Sequence, residues 1–336
     1  MDRRAFVFSA AALAAGCASP APARAQSSSR YAAAARYSAE RRGVSLLVMR
    51  EGRILFEDYP NAGGIERGWE LASGTKSFTG IMAAAAVQDG LLDLDEPAFH
   101  TLEEWRDDPL KRRISARHLL TLTSGLESRS GIARPPPYRE ALNAPVTHEP
   151  GTHFEYGPAP FQAFGELLRR KLRQDRDPVA YLRRRVLSPI GVAPVEWRRG
   201  RDGMPFMPQG AHFTARAWAG FGQCVLEGGR GLVDRATLRA CFTPSAANPG
   251  YGLSWWLLRP GLIPPSRAAG IDFTAEQAAR LGVINMAAGA GDQRLYLVPE
   301  RGMVIARQAN RILRGMRARG DARWSDSDFL SLVLEA

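Results

Sequence analysis

The chain has 336 residues, 45% of them hydrophobic and 24% charged, enough apolar material for one large core or two modest ones; with no low-complexity tract or heptad run, fibrous and disordered classes are set aside. The formal net charge is +11, but the arginines are spread along predicted helices with acidic residues between many of them, the pattern of a solvated basic face and not of a nucleic-acid surface. Of the three cysteines, the two beyond the N-terminal segment, Cys224 and Cys241, are too few for a thiolate zinc site, and their pairing stays open.

At the N-terminus, Arg3-Arg4 precede the apolar stretch Ala5 to Ala18 and the small-residue pattern Ala23-Arg24-Ala25. Residues 1–25 therefore read as a signal peptide, too short to span a bilayer. Paired arginines suit twin-arginine export, with a general secretory signal as the alternative. Leu13-Ala14-Ala15-Gly16-Cys17 resembles a lipoprotein box with its leucine one place early, so Cys17 is a candidate for acylation and a membrane tether. Either outcome sends the mature chain out of the cytoplasm, to the periplasm.

Val44 to Tyr59 reads as two strands around a turn at Arg50 to Arg53. Helical segments follow at Ser73 to Gln88, Ala116 to Thr123, Pro160 to Leu172, Pro178 to Leu187 and Thr214 to Glu227. Thr214 has N-cap chemistry, and Gly228-Gly229 stops that last helix. Strands return at Tyr251 to Leu258, Gly282 to Met286, Arg294 to Val298 and Met303 to Arg307, and Ser325 caps a closing helix, Asp326 to Leu334. The order implies an α/β (α+β) fold with an antiparallel sheet built from both chain ends, flanked by helices, and an inserted helical lobe. Residues 26–336 then form one domain, with 26–72 and 246–336 as the sheet lobe and 73–245 as the helical lobe.

Lysine is nearly absent: the 45 basic residues include only Lys76, Lys111 and Lys171. Arginine stays protonated in any protein environment, whereas a buried lysine can lose its proton and act as a base. Lys76 follows Ser73 by three residues at the start of a helical segment, so amine and hydroxyl share a face. Its ordinary pKa of about 10.4 must fall for it to serve as a base near neutrality. No Gly-x-Ser-x-Gly elbow, His-Glu-x-x-His or phosphate loop competes, and no cofactor or metal is expected.

The segment Trp69 to Gly80 around Ser73-Gly74-Thr75-Lys76, with Gln88 to Pro97 after it, resembles the serine β-lactamase-like hydrolases. That family spans class C β-lactamases, penicillin-binding peptidases, esterases and 6-aminohexanoate-dimer hydrolases. Ile114 to Leu126 is similar to its downstream scaffold signature, in which His118 and Ser124 are structural. The resemblance runs from about Val44 to Gln308 and implies Ser73 as nucleophile and Lys76 as proton acceptor. Pro150 to Gly157 is similar to the segment that supplies the family's tyrosine, here Tyr156. The family's Tyr-x-Asn is replaced by Tyr156-Gly157-Pro158, and Gln162, one turn onward, is the candidate to supply the missing amide. Ala287 to Pro299 resembles the strand bearing Lys-Thr-Gly or His-x-Gly: Gly289 would let substrate approach, and the Ala290 N–H would join that of Ser73 as an oxyanion hole. The cation expected at Ala287 is missing.

The function implied is a serine hydrolase acting on small esters or amides, with no nucleic-acid partner. A β-lactamase or D-alanyl peptidase, and a penicillin-binding sensor without turnover, are the alternatives.

Overall fold

The computed structural model describes residues 30–128, 134–174, 176–259 and 274–335. The signal-peptide segment and Cys17 lie outside the described residues.

Among the described residues, nine strands form two sheets. The larger has the order β2-β1-β9-β8-β7-β6, with β1 Gly43–Arg50, β2 Arg53–Asp58, β6 Trp256–Leu258, β7 Ile284–Gly289, β8 Gln293–Val298 and β9 Met303–Ala309. Every neighbouring pair is antiparallel. The sheet is closed by the two ends of the chain, since β1 pairs with β9 in the register Leu46 to Arg307. The smaller sheet, β3-β5-β4, joins Trp69–Glu70, Ala211–Phe213 and Glu196–Trp197.

Strand periodicity decides what covers each face. On β8, Leu295 and Leu297 point to the Ala215–Leu226 helix, where Gly222 lies so close to both that a Cβ would stand 3.2 and 3.1 Å from their methyl groups. Arg294 and Tyr296 point the other way, to Asp326 at the start of the Asp326–Leu334 helix. Helices therefore pack on both faces. Thr214 and Ser325 cap these two helices, accepting from Ala217 N (3.1 Å) and Asp328 N (3.2 Å).

The helix after the Ser-x-x-Lys motif, Ser77–Gln88, is buried from Ser77 through Ala86. Being apolar all round, it belongs in the interior. Phe78 stacks on Phe213 and Phe221 at centroid distances of 4.9 and 4.1 Å.

Several boundaries differ from the sequence reading. Tyr251 to Leu258 is strand only over Trp256–Leu258, because the chain turns back on itself there, with Leu257 N donating to Gly250 O and Gly252 N to Trp255 O. Ala116 to Thr123 is helical only to Leu120, as Leu122 takes a left-handed φ of +60°. Cys224 and Cys241 are separate buried thiols. Among the described residues, no helix is long and apolar enough to cross a membrane.

Candidate active site

Ser73 lies in a tight 3-10 turn, Ala72–Lys76, that leads into the Ser77–Gln88 helix. Ala72 enters it with φ +47°, an unfavourable region for a residue with a Cβ. Side-chain hydroxyls brace the turn: Thr75 donates to Ala72 O (2.7 Å) and accepts from Ala211 N (3.2 Å), while Ser77 donates to Gly74 O (2.8 Å). The end of β7 presses on the same turn. A Cβ on Gly289 would stand 2.0 Å from Leu71 O, so only glycine fits.

Lys76 is 4% exposed. Its Nζ donates to Ser73 Oγ at 3.1 Å and to the Pro208 carbonyl at 3.1 Å, and it stands 4.8 Å from the Tyr156 ring centroid and 5.4 Å from that of Phe161. Burial lowers its pKa from 10.5 to about 7, since desolvation disfavours the ammonium. Lys111 and Lys171 play no part here: they bind Leu142 O (2.9 Å) and Glu96 (2.7 Å).

Tyr156 is half-buried, with its ring beside the Lys76 amine that binds Ser73. Burial pushes its phenol up to about 12, against the pull of the Ser73 hydroxyl and the Arg294 charge. The scaffold segment holds it in place. Glu155 N donates to Leu122 O (2.9 Å), Ser128 N to Glu155 Oε1 (3.1 Å) and Ala159 N to Ser128 Oγ (3.1 Å). His118 and Ser124 belong to that scaffold. His118 completes a capping box with Ser115 at the start of the Ala116–Leu120 helix, and Ser124 Oγ accepts from Leu126 N at 3.3 Å.

Gln162 does not replace the missing asparagine. Its amide is engaged elsewhere, donating to Pro136 O (2.7 Å) and accepting from Met207 N (2.9 Å). The acceptor beside Lys76 is instead the Pro208 carbonyl, next in the chain to the residue that Gln162 holds. Sequence reasoning missed this group because a backbone carbonyl has no side-chain signature.

On β7, Ala287 is buried and faces Leu295 across the ladder. Arg294 does not supply the missing cation. It is fully buried, bound to Asp326 through Nε (2.7 Å) and Nη2 (3.2 Å), and its Nη1 donates to Gly289 O (3.0 Å), steadying the end of β7. Ala290 opens the turn to β8. Gly291 and Asp292 both have left-handed φ there, and Asp292 pairs with Arg42 at 2.9 Å.

Ser73, Lys76 and Tyr156 thus meet in one place, with a depressed amine on the Ser73 hydroxyl and a raised phenol beside it. Residues 29–326 match the beta-lactamase family. The chain belongs to that family. Among solved structures, this family member is similar to a beta-lactamase/D-alanine carboxypeptidase from Pseudomonas syringae, with a TM-score of 0.68, 16% identity, and coverage of 93% of this chain and 99% of that one. It is also similar to EstCE1, described as a hydrolase with promiscuous acyltransferase activity, with a TM-score of 0.67, 16% identity and the same coverage. These likenesses show the fold. Curated relatives include the acyltransferase calJ of Penicillium decumbens, 32% identical over 117 residues, which are 26% of this chain and 28% of the relative. Monacolin J acid methylbutanoyltransferase of Aspergillus terreus is 29% identical over 160 residues, 38% of this chain and 37% of the relative. The chain thus spans well under half the length of these curated relatives.

Proposed function

We propose that this protein is an exported serine hydrolase that works through an acyl-enzyme on Ser73, with small esters or amides as substrates. The observation that carries the reading is Lys76 Nζ at 3.1 Å from Ser73 Oγ with a pKa near 7. A lysine in that state is a competent base near neutrality, as a surface lysine is not.

In the proposed reaction, Ser73 Oγ attacks the substrate carbonyl and its proton passes to neutral Lys76. The tetrahedral oxyanion is held by the backbone N–H groups of Ser73 and Ala290. The phenol of Tyr156, protonated because its pKa lies near 12, gives a proton to the leaving oxygen or nitrogen as the carbonyl reforms, and takes one back from the Lys76 ammonium. Water then attacks the ester on Ser73, with Lys76 receiving its proton and Ser73 Oγ leaving protonated. An alcohol in place of water makes the same site an acyltransferase, as the names of calJ and the methylbutanoyltransferase say of those proteins.

The direct test is covalent labelling with a fluorophosphonate alongside turnover of 4-nitrophenyl acetate. Ser73→Ala is expected to abolish both while leaving the thermal midpoint nearly unchanged, since the Ser73 hydroxyl caps no helix and its hydrogen bond is to Lys76. Undiminished turnover by Ser73→Ala refutes the mechanism.

A further inference from the structure

A groove of about 760 Å³ lies between β3, the strand that leads into the Ser73 turn, and the segment that follows β9. Its apolar lining comes from Trp69, Ala309, Ile312 and Leu313, and the Leu313 side chain, on the short Ile312–Met316 helix, is 68% exposed. Both walls are tied to the elements that frame Ser73. Trp69 precedes it by four residues, a reach of no more than about 14 Å. Ile312 rests on the turn after Ala290, so closely that a Cβ on Gly291 would stand 2.6 Å from the Ile312 Cα.

The rim has one sign of charge. Arg311, Arg314 and Arg317 line the groove and are all exposed, and none has an acidic partner among the described residues. Glu70, the acid in the lining, is paired with Arg198 at 3.0 Å. At the reacting end the position that would bear a cation is Ala287, and Arg294 is locked to Asp326. The groove therefore pairs an apolar lining with a cationic rim, and its walls run into the elements that carry Ser73 and Ala290.

We propose that this groove binds the chain of an amphiphilic substrate, an ester whose apolar chain of roughly eight carbons, spanning about 10–14 Å, ends in a carboxylate seated on Arg314 and Arg317. The inference names the substrate class of the Ser73 site and rests on the function proposed above. Burial of the chain supplies affinity and the exposed arginines supply selectivity, which salt weakens.

The test compares two esters of equal length on the purified protein: mono-4-nitrophenyl sebacate, with its second carboxylate free, and the same compound with that carboxylate methylated. At low salt, kcat/KM is expected to favour the free acid by about tenfold, the joint effect of two or three exposed ion pairs. Arg314→Glu with Arg317→Glu is expected to erase the preference, and Leu313→Asp to raise KM for both long esters; neither variant changes turnover of 4-nitrophenyl acetate. Equal values for the two esters in the native chain, or a preference that survives the double substitution, overturns the proposal. If even the acetate is not turned over, the function proposed above has failed separately, and calorimetry with sebacate decides the groove: binding that the double variant loses supports it, and no binding ends it. Co-sedimentation with phosphatidylglycerol vesicles that depends on both arginines, without ester selectivity, assigns the rim to a lipid surface and also overturns it.

Discussion

Lys76→Arg is the sharpest perturbation of the site, because arginine is this chain's ordinary cation and a guanidinium preserves charge and donors. Burial lowers Lys76 from 10.5 to about 7, so that about half of it is neutral at pH 7. The same depression applied to an arginine, whose unperturbed pKa is about 12.5–13.8, would leave it near 9–10. Fully buried Arg307 is brought down by burial in the same way, to about 10, and keeps its charge at pH 7. At pH 7 at most about one such arginine in a hundred would be a base, and the acylation rate is expected to fall at least about a hundredfold. The measurement is the pre-steady-state burst of nitrophenolate from 4-nitrophenyl acetate between pH 5 and 9. In the native chain the rate should rise with pH through about 7 as Lys76 loses its proton. The same group links pH to stability: between about pH 7 and 10.5 the unfolded lysine holds a proton that the native one has released, so stability rises with pH across that window, by an amount on the order of 5 kcal/mol. Below pH 7 both states are protonated and the dependence vanishes. Lys76→Met should flatten the rise, which urea midpoints at pH 6.5 and 9.5 will register. A Lys76→Arg protein within threefold of the native burst rate would show that the residue supplies charge alone.

Tyr156→Phe is expected to slow turnover by roughly ten- to a hundredfold, less than loss of Ser73, because water can carry part of the proton relay; an unchanged kcat removes the phenol from the chemistry. Gln162→Met strands two buried partners, Pro136 O and Met207 N, and should lower stability by about 2–4 kcal/mol; by releasing the Pro208 carbonyl that favours the Lys76 ammonium, it should also move the pH midpoint of the burst downward, a shift that purely structural damage would not produce. Without a cation at Ala287 or a free Arg294, a carboxylate next to the reacting carbonyl loses a charged hydrogen bond of roughly 1.5–3 kcal/mol. A neutral short-chain ester should therefore exceed a chromogenic cephalosporin in kcat/KM, and the reverse order contradicts the inference.

The features legible in the sequence were those that side chains announce. Runs rich in Val, Leu and Ile at both chain ends foretold a sheet that joins β1 to β9, and Thr214 and Ser325 marked helix starts that their hydroxyls cap. The scarcity of lysine singled out Lys76, which the fold buries against Ser73. Features made by backbone were not legible. Nothing in Tyr251 to Leu258 announces that only Trp256–Leu258 extends, since aromatic and apolar residues suit a buried turn as well as a strand. The 3-10 turn at Ser73 was read as the first turn of a helix, because 3-10 and α segments share their composition.

The departure at Pro158 shows why a motif position and a chemical requirement must be kept apart. Lys76 at the centre of the site needs a lone pair from outside the Ser73 turn to orient its amine, and an asparagine amide is one source of it. In this chain Pro158 is the N-cap of the Ala159–Lys171 helix, where no amide is available. The lone pair comes from Pro208 O at 3.1 Å, on a loop that three buried contacts hold: Gln162 on Met207 N, Trp197 on Phe206 O at 2.8 Å and Tyr138 on Pro205 O at 2.9 Å. A carbonyl fixed by three separate elements is as constrained as a short side chain. The proline therefore removes a side chain from the pattern without leaving the amine unpaired, and a backbone contact that no motif search registers takes up part of the missing role.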